Sequence, residues 1–379
     1  MAEQSSLSFF AHFDALQDPR IDRTKRHKLL DIVFIAVCAL LSGANDFVGM
    51  EKFGKAKHDW LKNYLELPNG IPSHDTFGRL MQALSPQAFV DCFRSWVSKV
   101  HEQKKGDHIC IDGKTARGSH DRAAGQKPLH VVSAWATAQG LLLGQVAVDE
   151  KSNAITAIPK LLEMLALAGA LVTIDAMGCQ RDIASQIHDQ GGDYLLAVKG
   201  NQEHLEEDII AEFAAADERQ EQGQAGALPT VHESADADHG RTEQRRCEAL
   251  PAPTTLRNRD QWAGLRSICR VTRIDIEQGI DKSEVRYFIS TLPAKAKKLA
   301  IGVRGHWGIE NGLHWVLDMA FAEDRSRARL GHAQENLALR RRWALSVQLQ
   351  NKTVTGSMEK KRLQTGWNDK NLEKLLDLF

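Results

Sequence analysis

The chain has 379 residues, 42% of them hydrophobic and 26% charged, the composition of a folded protein of two or three domains rather than a disordered or fibrous one. Its 49 basic and 49 acidic residues cancel, so no global field draws it to nucleic acid or membrane, and any basic surface is local. Its 6 cysteines are scattered without a Cys-x-x-Cys pair, which argues against a zinc knuckle or a secreted disulfide framework and predicts a reducing, cytoplasmic setting.

The opening "MAEQSSLSFF" lacks the charged segment and cleavage site of a signal peptide. The apolar run from Leu29 to Leu41 contains Asp31 and falls short of the ~20 residues that span a bilayer, so it predicts a buried helix and no membrane partner. Residues 1–100 read as a mainly helical N-terminal domain. Within it, "GIPSHDTFGRLMQAL" sets a Gly-Ile-Pro turn before a helix with Ser73 as its N-cap. A turn followed by a short helix carrying Thr76 and Arg79 suits a helix-turn-helix DNA reader, which makes Ser73, Thr76 and Arg79 candidate DNA contacts. One more capped helix in a bundle is the commoner meaning of such a signal.

The character changes at residue 107. "DHICIDG", "PLHVVSAWAT" and "LLLGQVAV" alternate as strands, and their short links imply an antiparallel meander. A helix, the strand "LVTIDAMG", a second helix and the strand "DYLLAVKG" then alternate as parallel units do. The expected fold class is therefore α/β, one mixed sheet with helices on its faces. Residues 107–200 form the first part of this core. Polar, strand-like pieces follow, and 201–284 reads as a β-rich insertion before the second core part, 285–350, and a C-terminal tail, 351–379. Charge is uneven. Between Asn201 and Gly240 eleven acids face the single base Arg219, and between Lys295 and Arg362 fourteen bases face six acids.

Asp112 ends the first core strand and Asp175 the fourth, each followed by a turn with glycine nearby. Acids at strand ends of an α/β sheet point into the crevice where ligands bind. If those strands are neighbours, the carboxylates meet, and Glu310 in "HWGIENGLHW" can close the site. Glu310 has His306 one turn before it and His314 one turn after, and a carboxylate on a largely apolar helix is costly without a neutralising partner. Three hard oxygen ligands suit Mg²⁺ or Mn²⁺. Two such ions ~4 Å apart activate an attacking oxygen and stabilise a leaving one at phosphorus.

With these motifs in place, the sequence resembles the DDE-type insertion-sequence transposases, and within them the H-repeat-associated transposases. The resemblance runs over nearly the whole chain and is carried by "GIPSHDTFGR", "IDGKTARGS", "DEKSNAITAIPKLL", "IDAMGCQRDIA", "GGDYLLAVKGNQ", "HGRTEQRR" and "HWGIENGLHWVLDMAF". It implies an RNase H-like catalytic domain with a β-rich insertion before the last acid, and a catalytic, metal-binding triad of Asp112, Asp175 and Glu310. It also implies Mg²⁺-dependent phosphoryl transfer: cleavage of double-stranded DNA at the inverted repeats of an insertion sequence, then strand transfer to target DNA by a homodimer assembled on DNA. One departure stands out. Many relatives carry a phosphate-contacting Arg four residues before the final Glu and a Lys seven after it, where this chain has His306 and Leu317. Arg304 lies close to the first position, and His306 retains the capacity to bond a phosphate.

Other readings compete. "GKT" at 113–115 resembles the end of a Walker A loop, but the leading Gly would fall on His108, which excludes an ATPase. A zinc metallohydrolase built on His306, Glu310 and His314 lacks the H-E-x-x-H order and leaves Asp112 and Asp175 idle. A decayed relic that only binds DNA would not need three acids. Lys199, after the fifth core strand, serves equally as a phosphate contact or as a solvated strand-end charge. In "HGRTEQRR", alternation puts Arg241 and Arg245 on one face and Arg246 on the other. Arg340, Arg341 and Arg342, with Lys360, Lys361 and Arg362, are the expected phosphate contacts, a solvated and salt-bridged helix end being the alternative. The acidic stretch from Glu203 to Asp238 should lie off the DNA path.

Overall fold

A computed structural model of the chain describes residues 9–101, 104, 106–121, 125–148, 153–238, 241–277 and 280–379. The run Leu29–Leu41 forms helix α1, in which every residue but Leu30 is buried. Helices α2 (Phe47–Ala56), α3 (His58–Leu61), α4 (His74–Ala83) and α5 (Pro86–Val100) complete the helical layer begun by α1. Pro86 in the first turn and Ser85, whose hydroxyl accepts from the Ala88 amide, start α5. Ser73 precedes α4 with extended backbone, yet its hydroxyl faces Thr76 Oγ1 at 3.2 Å rather than a backbone amide. The exposed His74 amide donates instead to Glu51 Oε2 at 2.7 Å, so α4 is capped from a neighbouring helix.

The meander is present as β1 (His108–Thr115), β2 (His130–Ala136) and β3 (Leu141–Val148), paired antiparallel. Helix α6 (Ala154–Leu162), strand β4 (Leu171–Ile174), helix α7 (Arg181–Asp189) and strand β5 (Asp193–Val198) follow. β4 pairs parallel with β1 on one side and with β5 on the other, which gives the order β3-β2-β1-β4-β5 of an RNase H-like core. The register matters for the site. Ile111 pairs with Ile174, so Asp112 and Asp175 each follow the last matched pair of adjacent strands; Asp175 lies just past the end of β4, while β1 runs on to Thr115, so Asp112 does not end its strand as the sequence suggested.

The segment 201–284 is not set apart from the core sheet. After helix α8 (Glu203–Glu221), strands β6 (Thr230–Asp238), β7 (Arg241–Pro251), β8 (Ser267–Glu277) and β9 (Ile280–Ser290) form antiparallel pairs, and β9 also pairs with β5 through Leu195 and Ser290. The result is a single nine-stranded sheet, in which β9 covers the otherwise open edge of β5 and carries the chain past residue 284 back into the core. Part of the acidic charge of α8 is answered within the protein: Asp208 holds Arg257 and Asp217 holds Arg270.

Helix α9 (Ala296–Ile309) then crosses the sheet and runs through a π turn, Glu310–His314, into α10 (Trp315–Phe321). Helices α11 (Ala333–Gln350), α12 (Met358–Trp367) and α13 (Asp369–Leu376) close the chain. The expected tail, 351–379, packs into the N-terminal helical layer. Arg362 Nε donates to the Leu40 carbonyl at 2.9 Å, and Trp96 Nε1 donates to the Leu378 carbonyl at 2.8 Å. Among the described residues, no helix is long and apolar enough to cross a membrane.

Candidate active site

Each of the three acids is placed by a local device. Asp112 lies within β1, and its Oδ1 accepts from the Gly113 amide at 2.8 Å. Asp175 caps the short turn Ala176–Gly178, accepting from the Gly178 amide at 3.4 Å. Glu310 opens the π turn, a rare element that recurs at functional sites. Glycines bring its helix down onto the sheet. A Cβ on Gly302 would come within 2.8 Å of Leu195 and 3.1 Å of Leu171, and Cβ atoms on Gly305 and Gly308 would meet the His108 ring and Thr137. Their three-residue spacing puts the glycines on one face. α9 therefore lies flush against β1, β4 and β5, with Glu310 over the strand ends.

Asp112, Asp175 and Glu310 line one cleft of about 270 Å³. Burial pushes the Asp112 carboxyl up to about 7, reinforced by the charges of Asp175 and Glu310 and by a hydrogen bond with Glu310, while the Gly113 amide pulls the other way. Burial also raises Asp175, opposed by the turn amides of Gly178 and Met177 and by Lys199 and His130. His314 Nδ1 stands 3.4 Å from Asp112 Oδ2, and burial lowers its pKa to about 3, so the ring is neutral and this is no ion pair. Its Nε2 is buried without a hydrogen-bond partner. Ligand atoms of Asp112, Glu310 and His314 all lie within 4.8 Å of one another. A carboxyl whose proton affinity is raised by facing carboxylates favours any added positive charge, and hard oxygen donors with one imidazole suit Mg²⁺ or Mn²⁺. The residues present therefore fit a divalent cation.

Of the other candidates, Lys199 is exposed at the mouth of the cleft. His306 also lines it, but its Nδ1 lies 3.0 Å from Thr173 Oγ1, which His108 Nε2 approaches from the other side at 2.9 Å. Burial lowers both rings to about 4, so each is neutral. His306 thus faces the sheet rather than Glu310. Arg304 turns into a neighbouring groove and pairs with Asp236. Ser73 and Arg79 are exposed and Thr76 is half-buried on α4, outside the cleft lining.

The basic cluster of α11 is corrected. Arg340, Arg341 and Arg342 are 1%, 3% and 1% exposed. Arg342 pairs with the buried Glu323 at 2.6 Å, Arg341 donates to the Asn45 carbonyl at 3.2 Å, and Arg340 sits 4.6 Å over the Phe89 ring. None presents a guanidinium to a phosphate, and the helix end is not solvated either, because α11 is enclosed on all sides. Arg362 is buried as well. On β7, Arg245 pairs with Glu243 and Asp236, and Arg246 with Glu233 and Glu248; the Arg241 side chain lies outside the described residues.

Sequence reasoning missed two parts of the cleft wall. Arg286 reaches it from β9, a strand that straddles the expected boundary at 284 and whose place beside β5 was not foreseen. Trp307, 37% exposed, lies 6.0 Å and 5.3 Å from the guanidinium carbons of Arg273 and Arg286. Its position three residues before Glu310 was a signal, since a helix carrying an acid to a cleft carries that neighbour too.

Comparison with known proteins supplies the family. Residues 103–347 match the family described as "Transposase DDE domain", and residues 10–97 match one described as "DDE_Tnp_1-associated". "Putative transposase YncI" of Escherichia coli O157:H7 is 38% identical over 381 residues, covering 99% of this chain and 95% of that protein. "H repeat-associated putative transposase YhhI" of Escherichia coli K12 is 38% identical over 355 residues, covering 92% of each. Among solved structures, a piggyBac transposase synaptic complex with hairpin DNA is matched with a TM-score of 0.42 and 10% identity, over 99% of this chain and 77% of that one.

Proposed function

This chain belongs to the DDE-domain transposase family, and from that premise we propose that it cleaves phosphodiester bonds at the ends of its own insertion sequence and joins the freed 3′-hydroxyl to target DNA. The observation that carries the reading is the Ile111–Ile174 register, after which Asp112 and Asp175 follow side by side on adjacent chain segments in the cleft that Glu310 also lines. We assign the three carboxylates as ligands for two Mg²⁺ or Mn²⁺ ions, with His314 beside Asp112. Bound divalent cations would supply activation of the attacking oxygen and neutralisation of the leaving one. The chain's own contributions are charge and shape. Lys199 offers a cation to a phosphate at the cleft mouth, and Arg286, beside the end of β5, and Trp307 of α9 line its wall. A homodimer on double-stranded DNA, with the helical layer taking part in end recognition through Ser73 and Arg79, completes the proposal; both side chains are exposed, as a reader requires. The relic and zinc readings are less well supported. The relic gives no reason for the cleft to hold all three acids, and His306 turns to Thr173 instead of converging with Glu310 and His314.

The test is nicking of a supercoiled plasmid that carries the element's ends, with Mg²⁺. Asp112→Ala, Asp175→Ala and Glu310→Ala should each abolish nicking while duplex affinity stays within about threefold, because binding rests on phosphate contacts elsewhere. Full activity in any one of them would sink the assignment. Arg79→Ala should blunt discrimination between element ends and random duplex; unchanged discrimination removes α4 from the reader.

A further inference from the structure

With α11 turned inward, the basic excess between Lys295 and Arg362 must reach solvent elsewhere. Lys295, Lys297, Lys298, Lys352 and Lys360 are exposed singly or in pairs, and the arginines gather where α10 gives way to α11. Arg325 and Arg327 are exposed and Arg329 is half-buried, on a segment that Ser326 enters in extended conformation (φ −67°, ψ 127°). All three line a surface hollow of about 850 Å³ beside α4, and Arg329 Nε is buried there without a partner. None of the three side chains forms an ion pair or hydrogen bond with a described residue. The contrast with the groove beside the catalytic cleft is informative. There Arg245, Arg273, Arg286 and Arg304 each face a carboxylate. Two carboxylates, Asp46 and Asp121, share the hollow with the three arginines without pairing with them, and Asp46 is engaged in capping α2 through the Gly49 amide at 2.7 Å.

The segment is also held in place. Asp324 accepts from the Arg117 amide at 3.0 Å and lies 3.5 Å from Lys114, which follows Asp112 by two residues on β1 and pairs with Asp318 at 2.8 Å. A Cβ on Gly118 would strike the carbonyls of Asp324 and Ser326, so the loop after β1 lies flush beneath the segment. At the far end the His332 amide donates to the Gln82 carbonyl of α4 at 3.1 Å, and Gly331 holds a left-handed φ of 52° against that carbonyl. The arginines are thus fixed relative to both the catalytic strand and the helical layer.

We propose that Arg325, Arg327 and Arg329 are a binding site for the phosphate backbone of duplex DNA, seated between the carboxylate cleft and α4. The chemistry and the spacing agree. Guanidinium is suited to phosphate, and the extended backbone at Ser326 sets Arg325 and Arg327 ~6.6 Å apart, far enough for each to meet its own phosphate. The contact carries no sequence information; it sets the register in which the duplex meets the cleft. This inference rests on the proposed DNA substrate.

The test uses the full chain and a short random-sequence duplex without divalent metal, with affinity measured against KCl concentration. The triple substitution Arg325→Gln, Arg327→Gln, Arg329→Gln should reduce the slope of log affinity against log salt by about two to three units, at about 0.9 per contact. The corresponding triple Lys variant should keep the slope. A slope unchanged by the Gln substitutions, or a wild-type chain whose duplex binding ignores salt, would overturn the site. Nicking with Mg²⁺ is read separately on saturating plasmid: a wild-type chain that binds with the expected slope yet never nicks refutes the proposed activity and leaves this contact standing.

Discussion

At the level of single residues, Asp112 carries the largest electrostatic load in the cleft, and this has a measurable consequence. Its carboxyl is raised from 3.8 to about 7 by burial and by the facing carboxylates. A group whose folded pKa lies above its unfolded value costs the fold nothing at pH below the unfolded value. The penalty grows as pH rises toward the folded value and is complete above it. The metal-free protein should therefore lose stability between about pH 4 and 7 through this residue. Asp112→Asn, which mimics the protonated form, should be more stable than wild type at pH 8 by something on the order of 1–3 kcal/mol, and nearly equal to it at pH 4. Urea denaturation at the two pH values measures the difference, and a gap that does not widen with pH would refute the account. Saturating Mg²⁺ should close the gap at pH 8 by stabilising only the wild type. The sequence showed Asp112 as a lone acid after apolar strand residues but put it at the strand end, whereas β1 runs on to Thr115 with Asp112 opposite Ser133. Its load was not legible, since that depends on which carboxylates the sheet register brings opposite. The arginines of α11 show the converse. Three adjacent bases look like a surface patch until Glu323, from a different part of the chain, arrives to neutralise one of them in the interior.

At the level of elements, the α9–π turn–α10 unit decides the geometry of the site. The sequence announces a helix and an acid on it, but periodicity cannot show that residues 310–314 adopt π geometry, nor that Gly302, Gly305 and Gly308 form a contact face rather than weak points. Their meaning appears only against the strands beneath. In a free helix Gly→Ala stabilises by about 1 kcal/mol. At Gly308 the sign should reverse, because the new methyl group meets Thr137 Cγ2 at the end of β2. Gly308→Ala should cost about 1–3 kcal/mol, the usual range for overpacking, and should reduce Mg²⁺-dependent nicking by displacing Glu310 from the strand ends. Thr137→Ser removes the obstructing methyl but keeps the hydroxyl that lies 3.1 Å from Cys110 Sγ, so the double variant should recover stability and nicking. Thermal melts and the plasmid assay on the single and double variants decide it. A Gly308→Ala protein as stable and active as wild type would mean that α9 does not sit as described. The same limit explains the strands after α8. Strand character was readable in β7, β8 and β9 but not in β6, which lay within the acidic stretch, and the pairing of β9 with β5 joins residues far apart in the chain, so no local pattern encodes that partner.

For the whole molecule, the sequence suggests a string of parts and the structure shows a closed one. Residues 1–100 do look like an independent helical domain, with a Pro-started last helix and a polar stretch before β1. What completes their core comes from the other end of the chain. Trp343 of α11 packs its ring against Phe13, Phe89, Phe93, Trp96 and Phe379, with centroids 5.2 to 5.8 Å away, and four of those five partners lie before residue 101. Gln348 donates to the Leu41 carbonyl, Asn336 to the carbonyls of Met81 and Leu84, and Arg340 rests on Phe89. A chain that starts at residue 101 would uncover an aromatic cluster and return the apolar face of α11 to water, at about 25 cal/mol per Å² of apolar surface exposed. Net stabilities are only about 5–15 kcal/mol, so such losses are enough to unfold the remainder. We therefore predict that the intact protein unfolds in one transition and that 101–379 alone gives no cooperative melt. Supplying 1–100 as a separate chain during expression should restore a soluble complex with a single transition. A truncated chain that melts sharply by itself would show that the catalytic core is autonomous and that α11 tolerates solvent on the face it now buries. Under the predicted outcome, deleting the helical layer cannot test end recognition, because the same deletion removes the support of the helix behind Glu323, and through Lys114 and Asp324 it loosens the strand that carries Asp112.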